Sequence, residues 1–342
     1  MHRPSRVVFL AQKGFELRHG VNGRIRAVLG VVVGVGLLAA AIGVLVGQRS
    51  IVGDAFDSIS HASPWLLAAA FAMPIVSWLS TSATFFLLSQ RYARVPLQDM
   101  TALIGAAWLL NALPLRPGMV GRVAFHKKYH NMPIADSIRV MMIAMAMSFV
   151  SLVLLFGAAF FVMRLESGVW QVVMLLVPTA GLVVCAMLAR LVGSGLWREV
   201  AALALKSIDM LSWVVRYAIV FSLMGQTLSI ERVILVAAIG QIAMLVPVTG
   251  NGLGLREWVV GLTLAAFAVP GMREQATSIG LTADLFNRAA ETVLSIPVGV
   301  ICSAYLTRAA RHYAKVKSDR QAMSHGQNAS AKNVHEESTS SR

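Results

Sequence analysis

Three arginines carry the most suggestive chemistry in this chain: Arg122, Arg256 and Arg288 each lie inside or beside apolar sequence. A charged side chain in hydrocarbon costs several kcal/mol unless it meets a counter-charge or water. The guanidinium is a planar fork that matches phosphate or carboxylate with two parallel hydrogen bonds. In "TADLFNRAAETVLS", Asp284, Asn287, Arg288, Glu291 and Ser295 recur at helical spacing and form one polar stripe. Two readings of the stripe stand side by side. One is a self-neutralising ladder that glues helices together; the other is a cavity wall on which Arg288 meets a phosphate. Arg216, central in "MLSWVVRYAIVF", has no acid one turn away, so Glu257 or Glu291 is its expected partner.

The backbone around two of these arginines is built to break. "LPLRPGMVG" (113–121) and "VPVTGNGLG" (246–254) align at a constant offset of 133, pairing Pro114 with Pro247, Pro117 with Gly250 and Gly121 with Gly254. The turn residues are Pro114, Pro117, Gly118 and Gly121 in the first motif and Thr249, Gly252 and Gly254 in the second. Arg122 follows the first motif and Arg256–Glu257 the second. Half-helices that begin at such breaks expose amides that favour an anion. The set therefore points to anion recognition, with snorkelling of the arginines as the plainer alternative.

Other chemistries are poorly served. His126 and His130 have i, i+4 spacing, but the glutamate of H-E-x-x-H and a third ligand are missing, so neither metal nor cofactor is expected. Lys127 and Lys128 suit lipid headgroups at a membrane surface. Nothing resembles a P-loop. The pair Asp54 and Asp57 in "DAFD" reads as solvated loop charge, so the chain is not expected to be an enzyme. Cys185 and Cys302 lie in apolar runs and read as packing residues.

The elements that must position these residues are membrane helices. Of 342 residues, 57% are hydrophobic and 13% charged, against about 25% charged in a soluble domain. Six runs are long enough to span: 27–47, 64–89, 134–163, 169–193, 207–226 and 276–307. The first is too long for a signal-peptide core and reads as an uncleaved span. Stretches 98–115 and 230–249 are short and end at the two breaks; 195–207 reads as a separate surface helix. The net charge of +14 sits in flanks and loops, which fits lipid headgroups and argues against nucleic acid. Lys and Arg at both ends place both termini in the cytoplasm, in a multi-pass protein of the cell inner membrane.

A full crossing by 98–115 would force "GMVGRVAFHKKYH" back through the bilayer, so a re-entrant hairpin entering from the cytoplasm is simpler. The second hairpin then enters from outside. The expected fold is an all-α polytopic membrane protein with about six spans and two re-entrant hairpins. Units 64–163 and 207–307 form an inverted repeat, a design that places substrate between the broken helices. Residues 1–26 form a basic, amphipathic cytoplasmic arm, 27–307 the transmembrane domain and 308–342 a disordered polar tail.

"LPLRPGMVGRVAFHKKYHNMPIADS", "LVPVTGNGLGLREWVVGLTLAAFAVPG" and "LTADLFNRAAETVLSIPVGV" resemble three segments of the flippase-like domain family, the membrane region of lysylphosphatidylglycerol synthases and of stand-alone envelope proteins. The resemblance covers roughly residues 27–307. It implies a lipid-handling role and points to Pro114, Pro117, Gly118, Gly121, Thr249, Gly252, Gly254, Arg256, Glu257 and Arg288. Arg122 stands where many relatives have an acid, and "MMIAMAMSF" lacks their Glu-Arg pair. The synthase activity is not implied, since too little chain follows Leu306 for its soluble domain.

The expected function is a lipid transporter, or flippase, that moves an anionic or isoprenoid-type lipid between leaflets by alternating access. Its partners are membrane lipids with anionic headgroups, bound by Arg122, Arg216, Arg256, Glu257, Asp284, Asn287, Arg288 and Glu291. The alternatives are a non-transporting scaffold for an envelope lipid- or glycan-modifying enzyme, and a membrane glycosyl- or phosphotransferase.

Overall fold

The computed structural model describes residues 61–111, 117–162, 168–245 and 252–340, and a few single positions before residue 58. The first expected span and the turn residues Pro114 and Thr249 fall outside the described residues. Among the described residues every regular element is helical: α1 (Pro64–Ser89), α2 (Leu97–Leu110), α3 (Pro117–Tyr129), α4 (Ile134–Val162), α5 (Gly168–Leu191), α6 (Trp197–Leu223), α7 (Ile230–Leu245), α8 (Leu255–Ala266) and α9 (Arg273–Ser340). The stretches Pro64–Ser89, Ile134–Ala158 and Arg273–Lys315 are long and apolar enough to cross a membrane.

The helices fall where apolar periodicity and breakers put them. Pro117 opens α3 at the position where a missing N–H costs nothing. Gly252 and Gly254 both have positive φ, at 72° and 79°, and turn the chain into α8. Gly118 serves a different need: a Cβ there would come within 2.6 Å of the Ala107 backbone, so only glycine lets α3 cross α2 so closely. Gly121 has open space around it.

One expectation is corrected. Residues 195–207 are not a separate surface helix. They run continuously into the next segment as α6, with Ala202, Ala204 and Lys206 buried. Polar residues spaced along one face suggested solvent, but that face meets α1. Helix α9 runs on into the polar tail, to Ser340. Its Ala, Lys, Gln and Glu content suits a helix, and one glycine is a weak breaker.

Helix starts repeat along the chain: Pro64 and Trp197 are 133 residues apart, as are Leu97 and Ile230. Helix α6 thus starts ten residues before the expected 207. Packing repeats as well. Exchanging α1–α4 with α6–α9 turns each closely packed helix pair among them into another closely packed pair. Thus α2 against α9 is matched by α7 against α4, and α1 against α9 by α6 against α4; α5 stands apart and covers α4 and α6. The matched helices α1 and α6 lie against each other and are antiparallel. Ser77 and Thr81 meet Asp209, while Arg91, two residues past the end of α1, meets Glu199 further back on α6.

The largest apolar cluster surrounds α6, where Trp213, Tyr217, Val220 and Phe221 pack against Val233, Ile234 and Ala237 of α7 and Val260 of α8. Cys302 is buried beside Ala102 and Ala106 of α2, and Cys185 is exposed.

Candidate functional site

The polar stripe of α9 lies at the interior of the second half. Asp284 and Asn287 are fully buried, and Glu291 and Ser295 nearly so. Each acid reaches another helix. Asp284 accepts from Arg256 Nε of α8 at 2.9 Å and from the Tyr217 hydroxyl of α6. Glu291 accepts from Arg216 Nη2 at 2.7 Å and from Arg256 Nη1 at 3.1 Å. Of the two partners expected for Arg216, Glu291 takes the role. Arg288 pairs with Glu257 of α8. The pairs thus run between helices, whereas one of the two readings of the stripe was a ladder within α9.

Aromatic faces complete this cluster. The Trp213 ring has the Arg216 guanidinium 3.9 Å from its centre and that of Arg256 at 5.3 Å. A guanidinium over an aromatic face is attracted by the negative ring centre. Arg256 has no exposed surface, and both its carboxylate partners belong to α9. Its charge is therefore spent inside the protein. Removing one partner of such a buried pair costs about 3–5 kcal/mol, whereas the intact pair adds little net stability.

Arg122 is arranged differently. It is 8% exposed, and its guanidinium lies 4.0 Å over the Phe85 ring of α1. Among the described residues it has no ion pair. It faces a cavity of about 290 Å³ that separates the two halves, close to the lower end of small-molecule sites at roughly 300 Å³. Trp78, Thr81 and Phe85 of α1, Trp108 of α2 and its capping residue Asn111 line one side. Lys206, Asp209, Trp213 and Arg216 of α6, Gln241 of α7 and Glu291 of α9 line the other. Three cations (Arg122, Lys206, Arg216) against two carboxylates (Asp209, Glu291) leave one surplus positive charge on the wall.

Lys206 and Arg216 are already engaged, Lys206 with Asp209 at 2.7 Å and Arg216 with Glu291. The surplus is thus Arg122's. Gln241 Nε2 and Asn111 Oδ1 are buried without a hydrogen-bond partner among the described residues. A buried amide left this way costs about 1–3 kcal/mol and has bonding capacity for something else. A cationic fork, spare amide groups and three tryptophans suit a phosphate-bearing group joined to an apolar or ring-shaped moiety.

A second polar cluster closes the other end of the first hairpin. Asp99, near the start of α2, accepts from His130 Nε2 at 2.9 Å, Tyr305 at 3.0 Å and Tyr313 at 2.7 Å. His126 Nδ1 lies 3.2 Å from His130 Nδ1. Burial alone would raise the Asp99 carboxyl, but the hydrogen bonds from His130, Tyr313 and Tyr305 hold it below the usual carboxylate range. Burial, with the neighbouring His130 and Arg122, pushes His126 down to about 3. Lys127 and Lys128 stay exposed on the same helix.

Sequence reasoning considered the two histidines only as metal ligands and passed over Asp99. Among the described residues no group of His, Cys, Asp and Glu is arranged to hold a metal ion. The cavity tryptophans were also missed. Their α-helical spacing to polar neighbours (Trp78 to Thr81, Trp213 to Arg216) was the available signal. No family model, curated protein or solved structure matches this chain in comparison.

Proposed function

We propose that this protein is a lipid transporter of the inner membrane, a flippase that moves an anionic or isoprenoid-type lipid between leaflets by alternating access. The headgroup phosphate binds Arg122 in the cavity between the halves. The observation that carries this reading is Arg122 itself: a nearly buried arginine without an ion pair among the described residues, on the wall of a cavity with one surplus positive charge. An arginine so placed is stabilised by an anion that comes and goes.

The repeat supports the transport reading. The matched helices α1 and α6 are antiparallel, so a two-fold axis that exchanges the halves runs across the bundle. If the helices cross a membrane, that axis lies in its plane and the repeat is inverted. The two hairpins (α2 with α3, α7 with α8) then dip in from opposite faces, and both termini are cytoplasmic. Rocking one half on the other would expose the cavity to each side in turn. The three segments that resemble the flippase-like domain family agree with this architecture, and membership of that family forms part of the proposal.

The roles of the arginines divide. Arg122 takes the ligand, while Arg256, Arg288 and Arg216, with Asp284, Glu257 and Glu291, hold the wall in shape. The direct test is headgroup-resolved lipid movement in liposomes containing the purified protein. Phosphatidylglycerol and a polyprenyl phosphate are compared with phosphatidylcholine. The expected result is protein-dependent movement of the anionic lipids well above the zwitterionic one. Equal rates for all three, or none, would favour a scaffold that does not transport.

A further inference from the structure

The first hairpin holds a cluster that the transport cavity does not use. His130 sits at the turn between α3 and α4 with a hydrogen-bond partner at each ring nitrogen: Asp99 Oδ2 at 2.9 Å from Nε2 and His126 Nδ1 at 3.2 Å from Nδ1. All three side chains are almost completely buried. We propose that His130 is a proton-binding site linked to Arg122, so that a phosphate headgroup binds together with one proton. The proposal rests on Arg122 being the anion anchor.

Two nitrogens 3.2 Å apart can share only one proton. When His130 is an imidazolium, its Nε2–H is donated to Asp99 and its Nδ1–H to His126, whose own proton is on Nε2. When His130 is neutral and keeps Nε2–H on Asp99, its Nδ1 must accept. His126 then carries its proton on Nδ1 and leaves its Nε2 bare. The two states differ by one proton and no other bond. A proton arriving at His126 Nε2 passes the Nδ1 proton across to His130, and the reverse releases it.

Burial and the neighbouring cations disfavour charge on His126. Asp99 remains a carboxylate because Tyr305 and Tyr313 of α9 also donate to it; Gln98 meets the Tyr305 hydroxyl, and the His312 ring lies beside Tyr313. On α3, Arg122 is one turn before His126, while Lys127 and Lys128 point outward and Tyr129 stacks toward Tyr313. Arg122 repels an arriving proton. An anion on Arg122 cancels that repulsion, so the anion and the proton strengthen each other's binding by the same factor.

The test uses the full chain in detergent, with soluble short-chain phosphatidylglycerol as the probe. Calorimetry in buffers of different ionisation enthalpy reads affinity and proton uptake together. Wild type should take up a large part of one proton per bound lipid. Its affinity should weaken with rising pH by at most about tenfold per unit, the limit for one linked proton. His130→Gln should bind the lipid without proton uptake and with a flat pH profile, which a merely structural bond would not produce. If that variant fails to fold, His126→Gln breaks the nitrogen pair, keeps the Asp99 bond and should also abolish uptake. Lipid binding by wild type without proton uptake would overturn the proton site and leave the Arg122 site standing. Absence of binding at every pH by folded protein would overturn both.

Discussion

Trp108 of α2 and Gln241 of α7 face the same cavity, and they stand 133 residues apart, the offset between the starts of those two helices. Asn111 and Met244 repeat the relationship one turn later. The cavity is therefore built from equivalent places in the two halves, but with unlike chemistry. The position matching Arg122 is Leu255, and Arg256 one residue on is turned into the protein and locked by Asp284 and Glu291. One hairpin leaves its cation on the cavity wall without an ion pair among the described residues; the other locks its cation into buried pairs.

This arrangement predicts sidedness. If the repeat is inverted in a membrane, the α3 end and the α8–α9 turn are at opposite faces. Cysteine placed at exposed Lys128 and, separately, at exposed Arg273 should each be labelled by an impermeant thiol reagent from one side only, and from opposite sides. Labelling of both from the same side would rule out the inverted repeat.

Arg256 should be a stability residue. Arg256→Met leaves the fully buried Asp284 with Tyr217 alone and Glu291 with Arg216 alone. The expected loss is about 3–5 kcal/mol, read as a large fall in thermal unfolding temperature in detergent. Adding Asp284→Asn removes the stranded charge and should restore much of the loss. If Arg256→Met unfolds like wild type, the arginine is not locked as described.

The two glycines of α3 should behave oppositely. Gly118→Ala drives a methyl into the Ala107 backbone and should destabilise by about 1–3 kcal/mol. Gly121→Ala has open space and should be neutral or stabilising by up to about 1 kcal/mol, because alanine is the better helix former. Melting curves of the two variants decide this, and a shared response would count against the close crossing of α2 and α3.

Much of the helical plan was legible because it rests on apolar run length and on breakers: α1 spans 64–89 as read, and α3 begins at the proline that marked it. The stripe on α9 was legible too, since 3.6-residue spacing survives in any helix. Partners were harder. Whether Asp284 meets Arg288 on its own helix or Arg256 on another depends on packing that spacing does not encode. For the same reason α6 was divided. Lys206 fell in the stretch read as a surface helix, while Asp209 meets hydroxyls of α1 and Arg216 meets Glu291 of α9, partners that lie far away in sequence. Asp99 escaped notice because its donors lie at His130, Tyr305 and Tyr313, all distant along the chain.

The measurement closest to the central claim is movement of labelled phosphatidylglycerol in liposomes containing wild type, Arg122→Ala or Arg122→Lys. Arg122→Ala loses a stack on Phe85 worth about 0.5–2 kcal/mol, so it should fold, as checked by its melting curve. The account predicts that it moves phosphatidylglycerol at least tenfold more slowly, while Arg122→Lys, which keeps the charge without the fork, falls between. Folded Arg122→Ala that moves the lipid at the wild-type rate would contradict the account, because the anion would then be held elsewhere.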